Sequence, residues 1–375
     1  MKIAIEAQRI FRENKHGMDF VALETIRHLQ MIDKDNEYFI FVGPGNDYQG
    51  LSESENFHFI KLKNSNYAIW EQISLPCAIK KIKPDLLHCT SNTAPLCCKT
   101  PLVLTLHDII FLEKRNTKSL SAYQNLGWYY RRFVVPRILN KCKKIVTVSE
   151  FEAQRIRGTL PNLKPEIKPV YNGYSSHFRE IESPESISKK YIPHRDFIFF
   201  LGNTDPKKNT VRTIKAYSLY AKSVLNPFPL LIADLSKDVI AEILKQENIE
   251  FVKHLIFAPG YISNKDLPYI YNAAKLFLYT SLRESFGIPM LEAMACGTPV
   301  ITSNTSAMPE IAGSGATLVD PFREEQIASM IIRLIDDKEY YQLQVKYGLE
   351  RVKHFSWRKT AQELLEIYTS LNSKS

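Results

Sequence analysis

No run of eighteen apolar residues occurs in the 375-residue chain, so no conventional membrane-spanning helix is expected. The opening Met1-Lys-Ile-Ala-Ile-Glu-Ala-Gln is charged too early for a secretory signal and reads as a first strand. Six cysteines (Cys77, Cys89, Cys97, Cys98, Cys142 and Cys296) fit neither a zinc spacing nor a small disulfide scaffold. Reduced thiols in the cytoplasm are the expectation. There is no HExxH, no EF-hand loop and no close Cys/His set, so no metal site is expected, and Asp336-Asp337 reads as solvated charge. A G-x-S-x-G elbow, a Walker A loop and a GxGxxG turn are all missing. The net charge of +9 comes with no zinc-finger spacing or compact nucleic-acid motif, so no nucleic-acid partner is expected.

What the chain has is an apolar fraction of 45% and a length beyond one ordinary core, which predicts two domains. Lys2–Ala7, Tyr38–Val42, Phe57–Leu62, Leu86–Cys89, Leu102–His107 and Lys144–Val148 read as strands. Phe20–Met31 reads as a helix, with Val21, Leu23, Ile26 and Leu29 as its stripe. A second series runs through Phe197–Gly202, Pro229–Ala233, Leu255–Ala258, Leu276–Tyr279 and Pro299–Thr302. Helices are expected between them at Val211–Lys222, Asp238–Gln246 and Glu325–Asp336. Strands separated by helices predict an α/β fold with parallel sheets covered on both faces. The polar stretch Glu180–Lys190 reads as a linker. The expected organisation is residues 1–185, residues 186–355, and a terminal helical segment, 356–375, with Ala361, Leu364, Leu365 and Ile367 for packing.

The densest basic stretch, Arg131 to Lys144, follows Trp128, Tyr129 and Tyr130. It has two readings. One is a solvated helix whose apolar side packs on a sheet; the other is a segment lying on an anionic bilayer, the inner-membrane surface in a bacterium.

Polar residues follow the apolar runs at His107-Asp108, Ser149-Glu150, Asn172-Gly173, Gly202-Asn203 and Arg283-Glu284. Ligands of open α/β sheets bind beyond the carboxyl ends of strands, so this placement predicts a site. Glu284-Ser-Phe286-Gly287-Ile288-Pro289-Met-Leu-Glu292 sets two carboxylates eight residues apart, across a glycine turn and a first-turn proline. They suit paired hydroxyls, Glu284 on a sugar and Glu292 on a ribose, or they simply cap and solvate a helix. Gly202-Asn203-Thr-Asp205-Pro-Lys207-Lys208-Asn209 opens another helix; Lys208 could neutralise a diphosphate, or the loop could be a charged cap. His107 could donate to a sugar or phosphate oxygen, or be a buried structural residue. The His16-Gly17 loop could approach the same ligand, or use its glycine only to turn.

The chain resembles the GT-B retaining glycosyltransferases of family 4, or group 1. Arg283-Glu284 through Glu292, continuing to Gly297-Thr-Pro299-Val, is similar to that family's E-x7-E signature. Ser303-Asn304, Pro309-Glu310, Gly313, Asp320-Pro321 and Phe355-Ser-Trp357 sit where such proteins carry recurring residues. The resemblance implies two Rossmann-like α/β domains facing across a deep cleft: an N-terminal acceptor domain, a C-terminal nucleotide-sugar domain, and a last helix returning to the first. It implies catalytic Glu284, His107 and Lys208. Donor contacts would come from Gly17, Asn203, Lys208, Phe286, Gly287, Ile288 and Glu292, with no obligatory metal and no cofactor beyond the nucleotide-diphosphate sugar. Ser149-Glu150-Phe151 and Asn172-Gly173 resemble segments lining the cleft. Asn203 stands where many members carry Arg, and Gly17-Met-Asp19 replaces a frequent glycine–arginine–tyrosine form.

The style of Thr105-Leu-His107-Asp108 and Gly202 to Asn209 is similar to bacterial mannosyltransferases of O-antigen or capsule synthesis. GDP-mannose is therefore the first expected donor, with a glycan or lipid-linked oligosaccharide as acceptor. The alternatives are UDP-glucose, UDP-galactose or UDP-N-acetylhexosamine transfer, a sugar-nucleotide epimerase of the same fold, and a non-catalytic nucleotide- or glycan-binding protein.

Overall fold

The computed structural model describes residues 1–13, 15, 17–45, 47, 51–64, 66–113 and 122–372, without the side chains of 122–124. The chain forms two compact units, Met1–Gly173 with Trp357–Ser375, and Tyr174–Ser356. The boundary expected at 185 falls inside the second unit. There Phe178 packs edge-on to Tyr271 at 5.9 Å, and the Asn272 side chain accepts the Ile181 N–H and donates to the Arg179 carbonyl, both at 2.8 Å. The stretch read as a linker also holds a helical turn, Glu185–Ser188.

The first unit carries a seven-stranded parallel sheet: β1 (Lys2–Glu6), β2 (Glu37–Val42), β3 (Phe57–Lys61), β4 (Leu86–Cys89), β5 (Leu102–Thr105), β6 (Cys142–Thr147) and β7 (Glu166–Pro169). Their order is β3-β2-β1-β4-β5-β6-β7. β4 and β5 are buried at every residue, because helices cover both faces of a parallel sheet and leave no polar side to alternate. β7 escapes the sequence reading because this edge strand, Glu-Ile-Lys-Pro, buries only Ile167 fully. On one face, Ala22, Leu23, Ile26 and Leu29 of helix Gly17–Ile32 share a core with Ala361, Leu364, Ile367 and Tyr368 of helix Trp357–Asn372. Buried His88 of β4 fixes that last helix through Tyr368 Oη at 2.6 Å, and its other nitrogen meets Thr105 Oγ1 at 2.8 Å. Burial pushes the His88 imidazole down to about 3, so it is neutral at ordinary pH.

The second unit carries six parallel strands: β8 (Ile198–Leu201), β9 (Leu230–Ala233), β10 (Ile256–Gly260), β11 (Leu276–Tyr279), β12 (Val300–Ser303) and β13 (Thr317–Val319). They run β10-β9-β8-β11-β12-β13. Helices Thr210–Ser223 and Glu324–Asp336 cover one face with Ile214, Tyr217, Ile327 and Ile331. Burying each such side chain contributes about 1.5–3 kcal/mol. β13 is three residues long, too short for a periodic signal. No helix among the described residues is long and apolar enough to cross a membrane.

Candidate functional site

In the second unit the strand order reverses between β8 and β11, which opens the loops after them side by side. The two loops are stitched together. Leu282 N–H donates to the Lys207 carbonyl at 2.7 Å, and Asn209 Nδ2 donates to the carbonyls of Thr280 (3.1 Å) and Pro321 (2.8 Å). The hydroxyls of Thr213 and Thr280 lie 2.5 Å apart beneath them. This frame brings Lys208 Nζ to 2.5 Å from Glu284 Oε1. The pair is largely shielded, with side chains 26% and 14% exposed.

Tyr279, the last residue of β11, supports the pair: its ring lies 5.6 Å from Lys208 Nζ. Burial, and then the negative charge of Glu284, push its phenol far above the ordinary range, so it stays a hydrogen-bond donor. The Glu284 N–H donates to Ser306 Oγ at 3.1 Å, which fixes the backbone of the turn.

Gly287 holds φ at 97°, and a Cβ there would lie 2.9 Å from the Met308 methyl and 3.3 Å from the Tyr279 ring. The positive φ is what favours glycine at that turn; the Met308 methyl is the end of a flexible side chain and could give way. Helix Ile288–Ala295 follows, with Pro289 in its first turn. Phe286 turns inward, edge-on to Phe355 at 5.8 Å, so it offers a ligand its backbone rather than its ring.

Glu292 lies on that helix and makes no ion pair with any described residue. Burial pushes its carboxyl up to about 8, opposed by the hydroxyl of Tyr271. Two acids on one segment thus stand in opposite surroundings, one against a lysine and one against buried phenols. Asn203 is exposed, and its Oδ1 accepts the Asp205 N–H at 2.8 Å while its carbonyl accepts the Thr210 hydroxyl at 2.6 Å. Its side-chain oxygen builds the turn that presents Lys208. Lys207, 41% exposed, pairs with Asp205 at 3.6 Å.

In the first unit His107 follows β5 and is 6% exposed. Its N–H donates to Asn92 Oδ1 at 2.6 Å, and its Nε2 lies 2.9 Å from the Thr90 carbonyl. A carbonyl only accepts, so Nε2 carries the proton, and burial holds the imidazole below its usual value and neutral. The ring's donor is therefore spent on Thr90, and Nδ1 is left as an acceptor, the reverse of the donor role read from sequence. Gly17 is the first residue of its helix, and a Cβ there would meet nothing within 4 Å. Buried Asp19, two residues on, acts electrostatically on His107, which places this helix start beside that histidine. His16 lies outside the described residues. Ser149 caps helix Glu150–Thr159 through the Glu152 N–H at 3.2 Å, a structural duty.

Sequence reading did not single out Tyr279, Ser306 or Tyr271. For Tyr279 the signal was a lone polar atom at the end of an apolar strand. Nor did it find the buried acids of the first unit. Glu6 closes β1 and accepts the N–H groups of Gln8 (3.1 Å) and Thr90 (3.3 Å). Glu71 sits in a π-helical turn, Trp70–Ser74, and accepts from Tyr67 (2.8 Å), Thr93 (2.5 Å), Gln72 (2.9 Å) and Tyr130. Burial, and then Glu71, push the Glu6 carboxyl up to about 7. Among the described residues no three His, Cys, Asp or Glu side chains converge as metal ligands.

Residues 16–177 match the model of Glycosyltransferase Family 4, and residues 183–351 match that of Glycosyl transferases group 1. The chain is 28% identical over 240 residues to O-antigen chain mannosyltransferase B of Escherichia coli, covering 62% of each protein. It is 26% identical over 324 residues to the serotype-specific mannosyltransferase WbdA of E. coli, covering 81% of this chain and 39% of that protein. The chain therefore spans less than two thirds of the length of either relative. Among solved structures, a sucrose-phosphate synthase from Thermosynechococcus elongatus superposes with a TM-score of 0.74 at 18% identity, covering 100% of both chains. HepE of Anabaena, solved with UDP-glucose, gives 0.72 at 18% identity, covering 99% of this chain and 100% of that one. With two parallel α/β units and both halves matched in sequence, the chain belongs to the GT-B-fold glycosyltransferases of family 4 and group 1 and is related to the bacterial O-antigen mannosyltransferases.

Proposed function

We propose that the protein transfers a hexosyl group from a nucleotide-diphosphate sugar to a hydroxyl of a glycan or lipid-linked oligosaccharide, with anomeric retention. The observation that carries this reading is the Lys208–Glu284 pair, 2.5 Å apart at the turn that leads to Glu292. A donor diphosphate would draw Lys208 onto its oxygens and release Glu284 to accept hydroxyl protons of the transferred sugar. Glu292 takes the ribose hydroxyls, and the backbone at Phe286, Gly287 and Ile288 orients the sugar. Asn203 holds the turn and can offer its amide to phosphate. Gly17 is assigned to phosphate or acceptor, and His107 to the sugar.

In the reaction the bond from the anomeric carbon to the diphosphate oxygen breaks, and the acceptor oxygen bonds to that carbon on the same face. The acceptor proton passes to the leaving phosphate. Lys208 and the helix-start amides stabilise the charge that develops there.

Donor identity has two supports that diverge. The O-antigen relatives are mannosyltransferases, which favours mannose, and GDP-mannose is its expected carrier. A fold neighbour solved with UDP-glucose favours the uridine alternative. Thermal shift against GDP-mannose, UDP-glucose, UDP-galactose and UDP-N-acetylglucosamine decides between them; a stabilisation confined to UDP-sugars overturns the guanosine reading. E284A should keep its fold and lose about 10²–10³-fold in turnover of the responding donor. Undiminished turnover by folded E284A would remove Glu284 from the chemistry.

A further inference from the structure

We propose that the Lys15–Asp47 ion pair is a latch that sets the start of helix Gly17–Ile32 for its ligand, which makes both side chains positioning residues of the transfer reaction. The proposal rests on the reading that assigns Gly17 to phosphate or acceptor, and adds what holds Gly17 in place. Lysine is almost never fully buried unless its ammonium is paired, because burying that charge is costly. Lys15 lies in the loop after β1, two residues before the helix, and its side chain is only 1% exposed. Its Nζ donates to the Arg12 carbonyl at 2.7 Å and to Asp47 Oδ2 at 2.5 Å. The first bond closes the loop on itself, and the second ties it to the loop after β2. A surface loop that had only to turn could leave this ammonium in water.

The two loops fit together along their length. The Gly43 N–H donates to the Gln8 carbonyl at 2.9 Å, and the Asp47 N–H donates to the Phe11 carbonyl at 3.2 Å. A Cβ at Gly43 would lie 2.7 Å from the Gln8 carbonyl oxygen, and one at Gly45 would lie 2.1 Å from that of Phe11. Both contacts are to backbone, which cannot swing aside as a side chain can. The glycines therefore serve close approach of one loop to the other. The loop after β2 is a brace laid on the loop after β1, and Asp47 is the charge that fastens its far end.

What the brace fixes is the start of a helix that carries chemistry. Gly17 opens it with nothing within 4 Å of a Cβ, so a ligand can come close to its backbone. Buried Asp19, in the same turn, acts on His107. A displacement of about 1 Å in such a turn can cost about a hundredfold in rate. Lys15 and Asp47 are paired with each other, so they act through the helix start and not by touching the ligand.

The test is steady-state turnover by the full chain, with whichever of GDP-mannose and UDP-glucose the wild type consumes, in D47A, G45A, G17A and the double variant D47A/G17A. D47A removes the fastening charge. G45A wedges the loops apart and leaves both charges in place. Each should lower kcat/KM about ten- to a hundredfold. Trypsin should cut each after Arg12 or Lys15 at least about tenfold faster than wild type, because the loop opens locally. The melting temperature should stay within about 4 °C of wild type, so lost turnover is not lost folding. The double variant should fall no more than about threefold below its worse single, since both changes act on one helix start; a general structural loss would instead multiply the two effects. Multiplied effects, or a loss in D47A that G45A does not share, would overturn the latch. Unaltered turnover by D47A beside an impaired G17A would refute the latch and leave Gly17 in the site. Unaltered turnover by G17A would remove the helix start from the site and take the proposal with it.

Discussion

Glu292→Gln separates the carboxylate of the candidate ribose contact from its shape. In the folded protein burial raises the Glu292 pKa to about 8, against 4.5 for the ordinary group. Between those values the folded chain holds a proton that the unfolded chain has released. Stability from this group is therefore complete below pH 4.5, declines as pH rises, and is gone above about 8. A rise from 4.5 to about 8 corresponds to at most about 5 kcal/mol, lessened because Glu292 is only half-buried. The amide variant carries no such cost. Melting curves at pH 6 and pH 9 should show wild type losing ground to E292Q at the higher pH, by about 2–4 °C per kcal/mol. Donor binding should move the other way. At pH 7 only about a tenth of the carboxyl is ionised, so affinity for the donor should rise up to about tenfold by pH 9 in wild type and stay flat in E292Q. A melting difference that does not change between pH 6 and 9, with donor affinity equally flat, would refute the buried, proton-holding Glu292.

Lys208→Met should destabilise the second unit by about 1–3 kcal/mol, because Glu284 is left shielded without its cation. Urea denaturation of K208M, E284Q and the double variant should show the double costing less than the sum of the singles; strict additivity would deny the pair. Gly287→Ala should cost about 1–3 kcal/mol, from the positive φ and the contact with Met308. Gly17→Ala, with open space around it, should change stability by less than about 0.5 kcal/mol, so any fall in donor or acceptor affinity would belong to the ligand. His88, a base held down to about 3, gives stability that is complete above its unfolded value of 6.5 and is lost as pH falls towards 3. H88Q should therefore melt closer to wild type at pH 4 than at pH 7, and an unchanging gap would count against the buried neutral ring.

What the sequence determined by itself was the part written in local pattern. Short, mostly apolar runs set between helical stretches read as strands, and β1 to β6 and β8 to β12 lie within a few residues of the expected limits; β4, β5, β9, β11 and β12 are buried at every residue, as strands covered on both faces should be. Gly287 before Pro289 marks the turn and helix start that carry Glu284 and Glu292. Edge strands β7 and β13 lacked the signal, one for want of burial and the other for want of length. Tertiary structure alone decided the rest. Lys208 and Glu284, 76 residues apart, meet because β8 and β11 are neighbours in the sheet, and strand order is not encoded in periodicity. The stripe of helix Trp357–Asn372 would suit either unit. The hydroxyl of Thr360 on the Tyr171 carbonyl at 2.6 Å, and Tyr368 on His88, fix it to the first. The tautomer of His107 depends on Thr90 beside it, and the charge of Glu292 on how completely the phenols around it exclude water. A buried group takes its chemistry from neighbours that only the folded chain supplies.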